Sequence, residues 1–230
     1  MDYILEGIHR AFALILSLDR ETFVIVLVSL KVSSAATALA CLVGLPLGLT
    51  IGMRDFWGKQ AVMTALNTLM AMPTVVVGLT VYALISRRGP LGVLGLLYTP
   101  LAMVTGEFIL ATPIVTALAA SAVQSIDRRV KATALMLGAS EFQATVAVLR
   151  EGKFAIMAAV VAGFGRITAE VGSAMMLGGN IKGSTRTMTT AIALETAKGE
   201  FGLGIALGIV LLIVAFSINV LFYYFQQRGT

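Results

Sequence analysis

Four ionisable side chains lie inside long apolar runs of this 230-residue sequence: Lys31, Glu107, Arg166 and Glu170. An ionisable residue that faces lipid costs about 2.5–3.5 kcal/mol on insertion scales, so each should face the interior of a helix bundle and have a partner. Arg166 and Glu170 are four residues apart and can pair along one face of a helix. The pair is either a structural ion pair or part of the polar wall of a pathway.

The sequence contains no constellation typical of an enzyme. It has one histidine, one cysteine and no cluster of carboxylates, so neither a metal site nor a nucleophile with a base is supported. The segment GMRDFWGKQ suggests a phosphate-binding loop, but a Walker A motif has four residues between its glycines and Ser or Thr after its lysine. Here five residues separate Gly52 from Gly58, and Gln60 follows Lys59. We therefore expect no catalytic residue, metal or cofactor in this chain, and energy for uphill movement must come from a partner or an ion gradient.

The composition predicts a membrane protein. Hydrophobic residues make up 58% of the chain, charged residues 13%, and the mean hydropathy is +0.93, whereas soluble domains have roughly 45–50% apolar and about 25% charged residues. The net charge of +5 could suggest nucleic acid, but the cations are scattered without aromatic residues between them. We expect one all-helical membrane domain over residues 1–230.

Five apolar segments are long enough to cross a bilayer, which takes about 20 residues. They are Phe23–Gly52, Ala61–Ile85, Pro100–Gln124, Phe154–Leu177 and Phe201–Phe225. Residues 1–20 precede them and read as a short interfacial helix, or alternatively as a helix packed on the bundle. The Lys and Arg residues divide almost evenly between the two sides, so the positive-inside rule does not choose an orientation.

Glycines and prolines inside the spans predict how the helices pack. Gly44, Gly48 and Gly52 repeat every four residues in the first span, and Gly204 with Gly208 does so in the last. Such faces let helix backbones approach closely in lipid, so both should be buried seams. Spans one, two and three each contain a proline, at Pro46, Pro73 and Pro113. A proline removes one backbone hydrogen bond of its helix, so each of the three favours a kink.

Two polar connections interrupt the apolar pattern. Residues 126–153 show helical periodicity on both sides of Gly138, which predicts two short amphipathic helices, the second capped by Ser140. A helical hairpin of this kind could lodge in a groove of a soluble partner. Residues 178–190, GGNIKGSTRTMTT, combine three glycines, five hydroxyls and two cations. A linker between two spans is one interpretation of that second segment.

The segment KATALMLGAS, residues 131–140, resembles the EAA loop of ABC importer permeases, which docks into the ATP-binding subunit. Gly138 carries over from that motif, whereas its usual acidic position falls on Ala132. The stretches at 29–48, 72–92 and 165–188 resemble permeases of the molybdate and tungstate oxyanion importers. GGNIKGSTRTMTTAIALETAKGEF is most similar to the tungstate branch, because molybdate permeases usually have proline in place of Lys182.

The resemblance implies a type I, methionine-importer-like permease in a prokaryotic inner membrane, working as a homodimer. Its partners would be two ATPase subunits that carry ATP and Mg, and an extracytoplasmic oxyanion-binding protein. The loop at 126–153 would be cytoplasmic, and the N-terminus and the loop at 178–200 external. The ATPase-coupling residues would be Lys131, Ala132, Gly138, Ala139 and Ser140. The anion pathway or gate would use Arg87, Arg88, Arg166, Glu170, Lys182, Ser184, Thr185 and Arg186.

Other functions remain open at the level of the sequence. Molybdate or sulfate could replace tungstate, because these oxyanions are similar in size and charge. An ion-driven carrier or channel is an alternative from another class, with Glu107, Arg166 and Glu170 as a relay. Such carriers are usually built from internal repeats, and no clear twofold similarity is present in this chain.

Overall fold

A computed structural model of the chain describes residues 2–17 and 19–228, and the regular structure in those ranges is helical. The α-helices are α1 Asp2–Leu16, α2 Arg20–Met53, α3 Lys59–Met70, α4 Thr74–Ile85, α5 Pro100–Gln124, α6 Arg128–Met136, α7 Glu141–Glu151, α8 Lys153–Thr168, α9 Gly172–Gly178, α10 Met188–Ala197 and α11 Phe201–Arg228. A short 3-10 helix, Gly92–Leu94, lies between α4 and α5. The predicted all-helical fold is confirmed.

Five spans are present when each bent helix pair is taken as one span. Helices α2, α5 and α11 are each long and apolar enough to cross a membrane. The pairs α3 with α4 and α8 with α9 pass the same criterion but bend by 89° and 60° at short breaks. The kink that Pro73 predicts in span two is thus confirmed, whereas no feature of the sequence indicated the bend in span four.

One of the three prolines lies at a break in its span, and the other two do not. Pro73 lies in the break between α3 and α4, where the missing N–H and the fixed φ favour a bend. Pro46 and Pro113 lie inside α2 and α5, and both of those helices continue through the proline. The bend between α8 and α9 contains no proline, so other interactions must hold it.

Helices α2 and α5 run side by side through the core and approach closely along the first glycine seam. A methyl group added to Gly48 would lie 2.5 Å from the Thr116 carbonyl oxygen and 2.8 Å from the Ala119 side chain. Gly44 faces Thr116 in the same way one turn earlier, and Gly52 faces Val123 one turn later. The predicted seam in the first span is confirmed.

Close packing at the second predicted seam is confirmed at Gly204 but not at Gly208. A methyl group on Gly204 would lie 3.0 Å from the Thr196 hydroxyl oxygen, whereas one on Gly208 would meet nothing within 4 Å. Helix α11 lies at the rim of the chain, and its outer face is uncovered over much of its length. A side chain at position 208 would therefore enter open space among the residues that the structure describes.

Replacing Gly48 by valine is expected to lower the free energy of unfolding by about 1–3 kcal/mol, because the larger side chain overpacks the α2–α5 contact. Gly208→Val is the matched control, since it is the same substitution in a span with open space around it. Thermal unfolding in detergent measures both variants. Equal destabilisation of the two would contradict the packing role of Gly48.

Helix α1 packs across the first turns of α11. The rings of Tyr3 and Phe201 are 5.6 Å apart, and Gly7 lies against the Ile205 side chain. The 15 residues of α1 extend over about 22 Å, which is less than the roughly 30 Å of bilayer hydrocarbon. The short N-terminal helix predicted from the sequence is present, and its outward face carries exposed apolar side chains.

Candidate functional site

The break between α8 and α9 positions the predicted ion pair. The Arg166 Nη1 atom lies 3.2 Å from the Glu170 Oε2 atom, and the Ser173 backbone N–H donates to Glu170 Oε1 at 3.1 Å. The Thr189 hydroxyl donates to the Glu170 carbonyl oxygen at 2.7 Å. The Glu170 side chain is only 2% exposed, whereas that of Arg166 is 45% exposed. The carboxylate is thus fixed inside the bend, and the guanidinium faces outward.

The outward side of Arg166 forms part of the wall of a groove between α8 and α11. The groove has a volume of about 740 Å³ and is mainly apolar. Its other walls include Met157, Phe164, Leu211 and Phe222. Among the described residues that line the groove, Arg166 is the charged one. The Arg166–Glu170 pair therefore combines a buried carboxylate with a cation on an open apolar surface.

Residues 178–187 fold back on themselves through side-chain hydrogen bonds. The Thr185 hydroxyl donates to the Gly178 carbonyl oxygen at 2.5 Å and accepts from the Ile181 backbone N–H at 3.0 Å. Asn180, at φ +51°, accepts at Oδ1 from the Thr190 hydroxyl at 3.0 Å. Thr185 is fully buried, so its hydroxyl supports the loop and does not face the outer surface.

Helix α10 occupies the second half of the segment at 178–200, which the sequence indicated only as a loop. Thr187 caps α10, and its capping box with Thr190 is complete. The Met188 backbone N–H donates to the Ser29 hydroxyl of α2 at 2.8 Å. The segment is therefore an ordered unit bound to α2 rather than an independent linker.

The two cations of the loop both interact with one carboxylate on α2. Lys182 Nζ lies 2.6 Å from Glu21 Oε2, and Arg186 Nη1 lies 3.5 Å from Glu21 Oε1. Arg186 is mostly buried, with 15% of its side chain exposed, whereas Ser184 is exposed. We call this contact of Glu21 with Lys182 and Arg186 the outer latch. One carboxylate of the outer latch faces two cations, and the neighbouring Asp19 carboxylate also interacts electrostatically with Lys182.

Asp19 lies beside the outer latch as the N-cap of α2. The Thr22 backbone N–H donates to its carboxylate at 2.8 Å, and the Thr22 hydroxyl donates at 2.9 Å. These hydrogen bonds hold the pKa of Asp19 below its usual value. Its stabilising effect on the cap is therefore present above the ordinary aspartate pKa and is lost only as the pH falls through the lowered value.

Arg87 and Arg88 lie on the wall of a separate pocket, of about 530 Å³, in the turn after α4. Tyr98 lines the same pocket, and its backbone N–H donates to the Leu177 carbonyl oxygen at 2.9 Å. The Tyr98 ring also lies against Gly179. Tyr98 thus connects the pocket of the two arginines to the beginning of the 178–187 loop.

The segment at 126–153 forms the predicted helical hairpin, made of α6 and α7. Gly138 joins the helices at φ +88°, and Ser140 caps α7 in a complete capping box with Gln143. Lys131 Nζ pairs with Glu141 Oε2 at 2.9 Å, which connects the two helices. Ala132 is exposed, and the Ala139 backbone N–H donates to the Ala134 carbonyl oxygen at 3.0 Å.

The tip of the hairpin exposes large apolar side chains. Met136, Leu137 and Phe142 are 80%, 82% and 77% exposed. The hairpin follows the end of α5, whereas Tyr98, just before α5, contacts the 178–187 loop. The 25 residues of α5 extend over about 37 Å, so the hairpin and the loop lie at opposite ends of this span.

The structure assigns the other two intramembrane charges to different environments. Glu107 on α5 is 2% exposed, as predicted for an interior position. Lys31 on α2 is exposed at the surface of the chain, so the prediction of an interior position is wrong for it.

Three further residues of the site were missed by the sequence analysis, because their hydrogen-bond partners are 19 to 161 residues away: Glu21, Ser29 and Thr189. Distant contacts of this kind leave no local pattern.

Comparison with known proteins identifies a family. Residues 44–229 match the family described as "binding-protein-dependent transport system inner membrane component". The chain is 40% identical to the tungstate uptake system permease protein TupB of Peptoclostridium acidaminophilum, over 99% of this chain and 100% of that protein. It is 42% identical to the protein of the same name from Campylobacter jejuni subsp. jejuni, over 95% of this chain and 92% of that protein.

The backbone is also similar to a solved transporter. The crystal structure of an amino acid ABC transporter with histidines superposes with a TM-score of 0.67 and covers 94% of this chain and 98% of that one. The two sequences are 16% identical, so this similarity shows a shared fold only.

Proposed function

The chain belongs to the family of binding-protein-dependent transport system inner membrane components, and from that premise we propose that it is the permease subunit of an ATP-driven importer of an oxyanion, with tungstate as the substrate. Membership of this family implies a multi-pass helical membrane protein that works with a binding protein and an ATPase. The sections of the chain that would meet those partners lie at opposite ends of α5.

The exposed tip of the α6–α7 hairpin is the observation that supports coupling of this chain to an ATPase. Met136, Leu137 and Phe142 present apolar area on a polar connection, where water would otherwise favour polar side chains. An apolar helical tip of this kind fits a groove in a soluble partner. In this proposal the hairpin is cytoplasmic and docks on the ATPase subunit, which binds ATP and Mg, while the permease itself has no ATPase site.

The groove between α8 and α11 supports a homodimer. A largely apolar surface that carries one guanidinium is costly against lipid, but it is suited to a pathway formed between two copies. A second copy facing this groove would place one Arg166 from each subunit beside a pathway on the twofold axis. Two ATPase subunits would then bind the two hairpins.

The opposite end of the molecule is assigned to the external side, with the N-terminus outside and the C-terminus in the cytoplasm. The outer latch and the pocket of Arg87 and Arg88 supply cations and exposed donors where a binding protein would release its anion. Lys182 and Arg186 each already face Glu21, so the local charge is partly compensated. Partial compensation is suitable for transport, since an anion must bind weakly enough to leave.

We propose tungstate rather than another oxyanion because of two relatives at 40% and 42% identity, which align over nearly their full lengths. Both are tungstate uptake permeases by name. Molybdate and sulfate are the alternatives that the test must separate. The binding protein of the system, titrated with the three anions in a calorimeter, reports which one is delivered.

The decisive experiment purifies the chain with its associated proteins and measures uptake in liposomes. Co-purification of an ATPase, together with ATP-dependent and binding-protein-dependent tungstate uptake, supports the proposal. Anion flux through this chain alone, without ATPase or ATP, would refute it in favour of the ion-driven carrier or channel.

Neutralising both Lys182 and Arg186 to glutamine is expected to raise the apparent KM for oxyanion uptake on the order of tenfold, because external cations attract the anion to the mouth. Uptake kinetics measure this effect, and the yield of folded complex reports on assembly. Glu21→Gln is the matched control, since it breaks the outer latch but keeps both cations. A similar loss in Glu21→Gln would mean that the cations act only by holding the loop to α2.

A further inference from the structure

Helix α3 carries exposed polar side chains along one flank. Spacings of three, four and seven residues put four of them on the same face of the helix. They are Gln60, Thr64, Asn67 and Thr68, and all four are exposed. Val62 and Leu69, on the other flank, are exposed and apolar. We call the four polar residues the polar stripe, and it makes α3 two-sided.

Helix α3 runs antiparallel to the C-terminal half of α5. Lys59 Nζ donates to the Arg54 carbonyl oxygen at 2.9 Å, so α3 begins beside the end of α2. The last turn of α2 packs against Val123 of α5. Near the other end of α3, Leu69 shares a pocket with Thr112, in the middle of α5. The 12 residues of α3 thus extend over about 18 Å along α5.

This course places Asn67 near the middle of the membrane. Asn67 precedes Leu69 by two residues, so it lies within about one turn of the level of Thr112. Lipid offers no hydrogen-bond partner to an amide at that depth. Polar side chains inside a membrane almost always face the interior of a bundle or a water-filled cavity. The exposed flank of α3 therefore faces something other than lipid.

The amides of the polar stripe are the side chains with unused hydrogen-bonding groups. The Thr64 and Thr68 hydroxyls donate to backbone carbonyl oxygens one turn earlier, at 2.9 and 2.8 Å. The side-chain amides of Gln60 and Asn67 have no hydrogen-bond partner among the residues that the structure describes. Each carboxamide carries two N–H donors, so both remain available to a molecule outside the chain.

The inner end of the polar stripe adjoins the α8–α9 bend. Helix α4 begins at Thr74, shortly after α3 ends at Met70. A methyl group on Gly172 would lie 3.1 Å from the Thr74 hydroxyl oxygen and 3.4 Å from Glu170 Oε1. The bends of spans two and four therefore meet, and Arg166 lies one turn before Glu170 at the same bend. From this level the stripe leads to the end of α5 that continues into the hairpin.

We propose that the polar stripe lines the half of the anion pathway between the α8–α9 bend and the cytoplasm, and that the Asn67 amide donates to the passing oxyanion. This inference rests on the import function proposed above. Neutral N–H donors stabilise an anion without a countercharge, so the anion is not trapped after it leaves the level of Arg166. A hydrogen-bonding wall of low affinity is the property that an exit route requires.

Cysteine accessibility tests whether the polar stripe faces water. Cys41 is the one cysteine of the chain, so a Cys41→Ala background allows single cysteines to be probed. The permease and its ATPase subunit are reconstituted in liposomes with a charged methanethiosulfonate reagent on both sides. Asn67→Cys is expected to react at least tenfold faster than Leu69→Cys, because the thiolate that reacts forms in water. Leu69 is the matched control at nearly the same depth on the apolar flank.

Equal or slower labelling of Asn67→Cys overturns the proposal, and cross-linking then identifies what covers the stripe. A disulfide between the two copies of an unlabelled Asn67→Cys would assign the stripe to the subunit interface. An unlabelled cysteine that does not cross-link would assign it to lipid.

Uptake by charge variants tests contact with the anion. Asn67→Asp is expected to slow tungstate uptake per assembled complex at least tenfold, because a carboxylate in the pathway repels a dianion. Asn67→Gln keeps a neutral amide and should retain most of the uptake. Equal uptake by Asn67→Asp and the wild type would exclude the contact. Wild-type uptake in the same liposomes tests the import function separately, so failure of this inference leaves that function standing.

Discussion

Replacing Gly138 by valine is expected to reduce oxyanion uptake to roughly a tenth or less while leaving the ATPase subunit intact. Gly138 joins α6 to α7 at φ +88°, in the left-handed region that β-branched residues avoid. An L residue there costs about 1–2 kcal/mol or more, so the backbone of the hairpin must change its path. The change would displace Met136, Leu137 and Phe142, which form the exposed tip.

Two control variants separate coupling from general strain. Gly138→Asn should retain uptake, because asparagine tolerates the left-handed conformation better than other residues with a side chain. Gly58→Val introduces the same strain at φ +90° in the turn between α2 and α3, also with open space around it. Uptake, ATP hydrolysis and ATPase content of the purified complex are measured for each. Normal uptake by Gly138→Val would end the coupling role of the hairpin.

Replacing Arg166 by leucine is expected to destabilise the permease by about 2–3 kcal/mol, between the values typical of exposed and fully buried pairs. The substitution leaves Glu170 buried and unpaired at the α8–α9 bend. Replacing both members of the pair by leucine should recover part of that loss, because a buried pair is often exchanged for apolar residues at little cost. Thermal unfolding of Arg166→Leu, Glu170→Leu and the double variant gives the coupling energy between the two side chains.

Uptake by the double variant decides between the two roles left open by the sequence. If Arg166 lines the pathway, the double variant regains stability but transports oxyanion at least tenfold more slowly than the wild type. Arg166→Lys, which keeps the charge in the groove, is the control and should retain much more activity. A stable double variant with normal uptake would show that the pair is purely structural.

The features that the sequence predicted correctly are those encoded over short distances. The fifth helix begins at Pro100 and ends at Gln124, as the apolar run indicated. The α6–α7 hairpin, with Gly138 between its helices and Ser140 as a cap, depends on residues within one or two turns. The Arg166–Glu170 pair follows from their spacing of four on one helix.

The incorrect predictions concern features that depend on other parts of the chain. Span four is apolar enough over its length for hydropathy to treat it as one helix, although it bends by 60° between α8 and α9. This bend has no proline, and it is held by Glu170 contacts with Ser173 and Thr189. A linker between two spans is one interpretation of residues 178–190 from the sequence, yet Thr185 and Thr190 are buried within the segment's own hydrogen bonds.

The sequence by itself determined the class of the protein: a helical membrane domain, its spans, its hairpin and the local ion pair. Apolar length and spacing of three or four residues are properties of neighbouring positions, and they persist whatever the rest of the chain does. Only the tertiary structure decided that Glu21 faces Lys182 across 161 positions and that the Thr189 hydroxyl donates to the Glu170 carbonyl oxygen. Those contacts exist because packed helices bring distant residues to one level, which no local pattern specifies.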